Sequence, residues 1–303
     1  MPVYQLSIEA LWRRWNWSER FPAWDEVREY FRFAVDTLDL RSLITLDTRI
    51  DGAEFYEAKN QWRVRTDGGD KIQCQHLILC TGFASKPFIP ELPGLDTFEG
   101  PCHHTAEWPQ EGLDFAGKRV AVIGTGASGI QIVPELVKTV GTLKVFQRTP
   151  GWVVPRPDFK TPDWHKKLFK KIPASQKAVR QALFWTHETM AMAVIWNSPL
   201  TKVAERLSLA HLHSQVEDDW MRRQLTPDFR IGCKRVLVSN DYYPALQKDN
   251  ADVIILPPPF EIPEIELIIK DISNTKIVGQ GEVRIVVDDE LLIVLTFENS
   301  SNI

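Results

Sequence analysis

The sequence predicts an α/β fold built around a Rossmann-like unit in the middle of the chain. Three observations carry that expectation. Val120 to Ile123 form a short apolar run, followed by Gly124, Gly126 and Gly129 at G-x-G-x-x-G spacing. An amphipathic run from Ser128 to Val140 leads directly into a second apolar run, Leu143 to Phe146. Earlier in the chain, short alternating segments flank Asp67-Gly68-Gly69-Asp70, a strong hairpin signal.

The central stretch reads as strand, glycine turn, helix, strand. An apolar run without alternation is a strand buried on both faces. Gly124 permits the tight turn, Gly126 lets backbone approach a pyrophosphate, and Gly129 allows close packing of helix on strand. The helix N-terminus then offers N–H groups and a positive dipole end to phosphates. This context makes Gly124, Thr125, Gly126, Ala127, Ser128, Gly129 and Gln131 candidate dinucleotide-binding residues, with a purely structural glycine turn as the alternative.

The end of the second strand selects the dinucleotide. An acid there bonds a ribose 2′-hydroxyl, whereas an Arg accommodates a 2′-phosphate. The chain places Gln147, Arg148 and Thr149 there, with no acid between Thr142 and Pro157. NADP is therefore expected over NAD, and a solvated surface arginine is the bland alternative.

The remaining elements follow in order. Residues up to Trp24 are aromatic and charged without periodicity. From Glu26, Val27, Tyr30, Phe31, Ala34, Val35 and Leu38 share one helical face. Ile44, Leu46, Thr48 and Ile50 alternate as a strand, and strands near Ala53–Ala58 and Gln61–Thr66 lead into the hairpin, whose return strand is Lys71–Gln75. Leu77–Cys80 is a further apolar run, and Pro87, Pro90 and Pro93 mark a linker. Trp164 to Trp220 read as a long helical stretch with Lys166-Lys167 and Lys170-Lys171 on a solvated face.

Composition narrows the function classes. A chain of 303 residues holds one large or two ordinary domains, and 44% hydrophobic with 25% charged residues is ordinary for a globular protein. A formal charge of -4 provides no basic footprint for nucleic acid. Cys74, Cys80, Cys102 and Cys233 form no C-x-x-C pair; three lie in or beside apolar runs and are expected as small buried hydrophobes, with neither zinc nor a disulfide framework. His103-His104 lack further ligands at zinc spacing, so no metal site is expected. Most of the eleven tryptophans fall outside the glycine-rich unit, and core filling is the expectation for each. No apolar run approaches the roughly 20 residues that span a bilayer, and the N-terminus lacks a signal-peptide pattern, so a cytoplasmic setting is expected.

Two motifs carry a resemblance. Phe98-x-Gly100-x-x-x-His104-x-x-x-Trp108-Pro109 is similar to the fingerprint of Baeyer–Villiger monooxygenases, class B flavin-dependent enzymes. Gly232-Cys233-Lys234-Arg235, running on to Asn240-Asp241-Tyr242-Tyr243, resembles a second stretch of that family, as does Thr149-Pro150-Gly151-Trp152. Related N-oxygenating flavin monooxygenases resemble this fingerprint but usually end in Tyr or Phe, so Trp108-Pro109 points to the Baeyer–Villiger branch.

The resemblance implies a flavoprotein with two dinucleotide-binding domains, for FAD and NADP, and a helical insertion in the NADP domain. It implies that NADPH reduces FAD and that dioxygen then supplies an atom inserted beside a ketone carbonyl, giving an ester or lactone. Lys234 would reach the NADP 2′-phosphate, and Arg235 would face the flavin as the catalytic cation. Phe98, Gly100, His104 and Trp108 would couple the two domains, and Ile50, with the Thr81-Gly82 turn, would lie near FAD. The expected division is 1–113, part of the FAD domain; 114–160, the NADP unit; 161–230, the insertion; and 231–303, the return of the NADP domain with a shortened FAD-domain end.

The chain lacks the first G-x-G-x-x-G of the family, and Leu295-Thr296-Phe297-Glu298 replaces the expected Ala-Thr-Gly turn. An FAD domain incomplete at both ends is therefore expected. The substrate would be a ketone, of secondary metabolism in one reading. A catalytically inactive NADP-binding remnant and an N-/S-oxygenase remain the alternatives.

Overall fold

The computed structural model describes residues 5–82, 86–90, 92, 94–196 and 198–256, with strands at 265–269, 283–287 and 291–295. Pro93 and the 296–303 segment lie outside the described residues. The helices are α1 (Glu9–Trp12), α2 (Trp24–Thr37), α3 (Gly129–Leu136), α4 (Asp163–Lys171), α5 (Pro173–Ile195), α6 (Pro199–Gln215), α7 (Asp219–Leu225) and α8 (Tyr242–Ala245). The strands are β1 (Ile50–Tyr56), β2 (Gln61–Thr66), β3 (Lys71–Cys74), β4 (Cys102–His104), β5 (Arg119–Ile123), β6 (Thr142–Gln147), β7 (Val153–Val154), β8 (Leu237–Val238), β9 (Ala251–Ile255), β10 (Ile265–Ile269), β11 (Val283–Val287) and β12 (Leu291–Leu295).

One compact unit draws on residues 5–82 and 158–188. Asp25 and Glu26 in the first turn of α2 complement the helix dipole, and Glu26 accepts from both the backbone and the hydroxyl of Ser18. Tyr30 and Ala34 are the buried residues of α2, while Phe31, expected on the same face, is half exposed. Tyr30 sits at the centre of an aromatic cluster, with Trp15 at 5.3 Å, Trp17 at 4.9 Å and Phe33 at 6.5 Å between ring centroids. Its hydroxyl accepts the Leu6 N–H at 2.8 Å. Residues 158–188 join this unit through the Glu19–Lys160 bridge and the bond from Arg180 to the Gln5 carbonyl at 2.5 Å.

The strands β1, β2 and β3 form an antiparallel meander in that order. Gly69, at φ +87°, closes the expected hairpin, and the Thr66 hydroxyl accepts the Asp70 N–H. The alternation from Ile44 does not produce a strand before Ile50: residues 41–43 form a 3-10 turn and Leu46 is 76% exposed. The Leu77–Cys80 run is likewise outside any strand, with Ile78 80% exposed. An apolar run becomes a buried strand only when a neighbour pairs its backbone, and none of the described residues does so here. The cysteine expectation is corrected too: Cys80, Cys102 and Cys233 are exposed and Cys74 half-buried. Core filling holds for Trp17 and Trp152, but Trp24, Trp164, Trp185 and Trp196 are largely exposed.

The second unit draws on residues 86–157 and those from 189 onward. Its centre is a five-stranded sheet in the order β4-β12-β5-β6-β9, with every pair parallel. Val120, Val122, Leu143 and Val145 are fully buried, as strands covered on both faces require, and each such burial is worth about 1.5–3 kcal/mol. The run from Ser128 folds as α3 with Pro134 inside it, and turns continue to Val140. The Asn250 amide donates to the carbonyls of Val137 and Val140 and closes the helix end against β9.

β6 and β9 lie on one side of β5, β12 and β4 on the other. The winding therefore reverses at β5 and β12, and ligands of open α/β sheets bind at the carboxyl ends of the strands at such a point. Lys144 and Asp252, opposite each other in the β6–β9 register, form an ion pair with the lysine buried. Two separate parallel pairs, β7–β8 and β10–β11, complete the described sheet structure.

Candidate functional site

The glycine turn grows out of β5 at the reversal point. Gly124 has φ +103°, a conformation that a side chain would strain, and its N–H donates to the Phe146 carbonyl at 2.9 Å. The turn is thus tied to the neighbouring strand before the chain enters α3. The Gly126 carbonyl accepts the Ile130 N–H at 3.0 Å, and the Ser128 carbonyl accepts those of Gln131 and Ile132. Thr125 is buried, Ala127 packs on the core, and Gly129 and Ile130 are buried under the helix. Gln131 donates its amide to the Ala127 carbonyl at 2.6 Å, so its nitrogen braces the turn. No acid lies in the first turn of α3, leaving its positive end uncompensated by its own residues.

At the end of β6, Gln147 is buried and donates to the Gln224 carbonyl at 2.9 Å, while its own carbonyl accepts the Leu256 N–H. Both bonds fix the strand end from which Arg148 projects. Arg148 is exposed and makes no hydrogen bond or ion pair among the described residues. Thr149 and Pro150 lead to Gly151, where an added Cβ would lie 2.7 Å from Leu237 Cδ1. That close approach admits the β7–β8 pair, which brings the 234–239 segment alongside the residues that follow Arg148.

Lys234 and Arg235 precede β8 and are both exposed. Lys234 Nζ stands 4.7 Å from the centroid of the Phe229 ring. Arg235 has no carboxylate partner among the described residues. Two contacts from α6 brace this segment: Glu205 accepts the Ile231 N–H at 3.1 Å, and His211 Nε2 bonds the Ser239 carbonyl at 2.9 Å. Ser239 in turn accepts the N–H groups of Asp241 and Tyr242 through its hydroxyl. Burial pushes the Tyr242 and Tyr243 hydroxyls well above the ordinary phenol range.

The fingerprint residues occupy the other side of β5. His104 ends β4, opposite Leu295 of β12, which is itself opposite Ile123 of β5. The buried imidazole accepts the Ala106 N–H at Nδ1 (3.1 Å), which places the proton on Nε2, a buried atom without a partner among the described residues. Trp108 packs on Phe115 at 5.8 Å, and both rest against the core beside β5. Phe98 and Gly100 are half-buried. Ile50 belongs to the first unit, where it opens β1 opposite Thr66 and is half exposed.

The Gly124–Gly129 turn and Arg148 thus leave the carboxyl ends of the adjacent strands β5 and β6, and the Lys234-Arg235 pair precedes β8, which pairs with β7 just beyond Arg148. A helix N-terminus with exposed cations suits an anionic ligand carrying both a pyrophosphate and a further phosphate. Sequence reading did not assign Trp152, Glu205, His211 or Phe229. Only Trp152 stood in a noted motif, and the others are helix or loop residues whose partners lie 26 or more positions away.

Comparison with known proteins agrees with this geometry. The family described as flavin-binding monooxygenase-like matches residues 12–184, more than half of the chain. A Baeyer-Villiger monooxygenase of Pseudomonas aeruginosa is 36% identical over 252 residues, 83% of this chain and 47% of that protein. Cyclopentanone 1,2-monooxygenase of Comamonas sp. is 46% identical over 153 residues, 50% of this chain and 28% of that protein. The structure of an oxidized steroid monooxygenase bound to NADP superposes with a TM-score of 0.74 at 28% identity, covering 97% of this chain and 60% of that one. The chain thus spans about half the length, or less, of the curated relatives it matches. With the glycine turn at the reversal of a parallel sheet and a likeness that runs through both units, the chain belongs to the flavin-binding monooxygenase-like family.

Proposed function

We propose that this chain supplies the NADP-binding part of a FAD- and NADPH-dependent Baeyer–Villiger monooxygenase, an enzyme that inserts oxygen beside a ketone carbonyl. The observation that carries the reading is that the Gly124–Gly129 turn and Arg148 leave the carboxyl ends of the adjacent parallel strands β5 and β6, with Lys234 just ahead of the strand that pairs β7 beyond Arg148. The ADP half of the dinucleotide fits this arrangement. The positive φ of Gly124 clears the turn, the start of α3 would hold the pyrophosphate, and Arg148 and Lys234 would hold the 2′-phosphate. Arg235, the neighbour of Lys234, is the proposed catalytic cation; a guanidinium stays protonated at any working pH. His104 and Trp108 are proposed to link movement of the NADP unit to the FAD part. Residues 114–160 are the proposed NADP unit, 161–230 its insertion, 231–303 the return of the NADP domain together with an end of the FAD domain, and 1–113 part of the FAD domain.

FAD would supply the oxygen activation. The described residues contain no second glycine turn to hold its pyrophosphate, so the chain's own part is nucleotide binding and the presentation of Arg235. The names of the Pseudomonas and Comamonas relatives support the Baeyer–Villiger chemistry, with a ketone and dioxygen as co-substrates. The finer reading, a ketone of secondary metabolism, belongs to this proposal and is decided by a substrate panel.

One observation favours a second reading, in which the chain by itself binds NADP without oxygenating. Leu46, Ile78 and Leu79 in the first unit are largely exposed apolar side chains, left uncovered by the described residues. Both readings are tested by purifying the chain and measuring bound flavin, NADPH affinity and ketone-dependent NADPH consumption. Tight NADPH binding with flavin recovered only when a family-type FAD segment is supplied supports the first reading. Failure to bind NADPH at all would overturn both.

A further inference from the structure

The cation pair is held by more than its own strand. Trp152 is buried, and its indole N–H donates to the Phe229 carbonyl at 2.8 Å. Its backbone carbonyl accepts the Leu237 N–H, also at 2.8 Å. A single tryptophan therefore grips both ends of the 229–237 segment, with Lys234 and Arg235 between the two grips. Phe229, held by its carbonyl, offers its ring face to Lys234 Nζ at 4.7 Å. Trp152 follows Arg148 closely in the chain, on the segment that leaves β6. The same residue thus fixes the Lys234 segment against the Arg148 segment.

We propose that Trp152 and Phe229 are specificity-determining positioning residues, a seat that presents Lys234 beside Arg148 so that the two cations read one 2′-phosphate together. The inference rests on the NADP reading above. An exposed lysine samples many rotamers, and immobilising it on a ligand costs conformational entropy. A ring face beneath the ammonium attracts the cation and narrows that ensemble before the ligand arrives. The indole hydrogen bond keeps the ring where this is useful. NADH has no 2′-phosphate, so the seat contributes to NADPH binding alone.

The test is calorimetric titration of the purified chain with NADPH, NADH and adenosine 2′,5′-bisphosphate, which needs no flavin and no turnover. Phe229→Leu removes the ring face and should weaken NADPH and the bisphosphate about two- to fivefold while leaving NADH unchanged. Phe229→Tyr, which keeps the face, should restore both. Trp152→Phe keeps the bulk, removes the N–H, and should lower the NADPH-to-NADH preference in the same direction. In a Lys234→Ala background, Phe229→Leu should have no further effect on NADPH. A loss with Lys234→Ala but none with Phe229→Leu, or a loss shared equally by NADH, would overturn the seat and leave the NADP reading standing. No change on Lys234→Ala would overturn the reading of Lys234 and the seat with it. If Phe229→Leu lowers thermal stability, Phe229→Tyr and Trp152→Phe decide the matter.

Discussion

Replacing Arg148 by alanine tests the nucleotide preference directly. The side chain is exposed and makes no ion pair or hydrogen bond among the described residues, so its removal should change stability by no more than about 0.5 kcal/mol. Its backbone is held independently by the Gln147 bonds to Gln224 and Leu256, which the substitution leaves in place. On the proposed reading, what is lost is one charge-assisted bond to a 2′-phosphate, worth roughly 1.5–3 kcal/mol. An open site exposes that bond to solvent screening, which favours the lower figure. NADPH affinity should therefore fall about tenfold, while NADH affinity stays within about twofold. Titrations at low salt and at about 0.5 M salt should show the wild-type preference shrinking with screening and the variant's barely moving. Equal losses for NADPH and NADH, or a preference that survives the substitution intact, would refute the assignment of Arg148 to the 2′-phosphate.

Three further predictions concern the scaffold that holds the site. The Tyr242 hydroxyl is buried without a hydrogen-bond partner among the described residues, so Tyr242→Phe should be neutral or stabilising by up to about 1 kcal/mol at pH 7. Its folded pKa is raised above the unfolded value of about 10, so the unfolded chain loses the proton first, and wild-type stability should fall as pH rises above about 10. Denaturant melts at pH 8 and 10.5 should show a smaller fall in the variant. Gly141→Ala should lower the melting temperature by several degrees, because the new Cβ would lie 2.5 Å from the Gly117 carbonyl oxygen, a backbone atom with no freedom to rotate away. Asp252→Ala strands the buried Lys144 ammonium and should destabilise by about 1–3 kcal/mol, discounted because Asp252 is partly exposed. The double variant Lys144→Met, Asp252→Leu should recover most of that loss in the same denaturation assay.

The sequence alone determined the Rossmann unit and its glycine turn. The buried strands β5 and β6, the helix between them and the left-handed need at Gly124 are local consequences of residue type and spacing, so they were legible without neighbours. The hairpin at Gly69 was legible for the same reason. The motifs singled out Arg148, Lys234 and Arg235 as candidates, because residue type and position relative to the glycine turn and the Lys-Arg motif are readable from the chain alone. Tertiary structure alone decided which apolar runs became strands. Ile44–Thr48 and Leu77–Cys80 have the composition of strands, yet a ladder needs a partner, and pairing is a property of the fold rather than of the run. It also decided what holds the cations. The bonds from Trp152, Glu205 and His211 join residues 26 to 77 positions apart, and no period or motif encodes a contact of that range. Sequence names the charges because chemistry demands their type; only the packed fold sets where those charges stand.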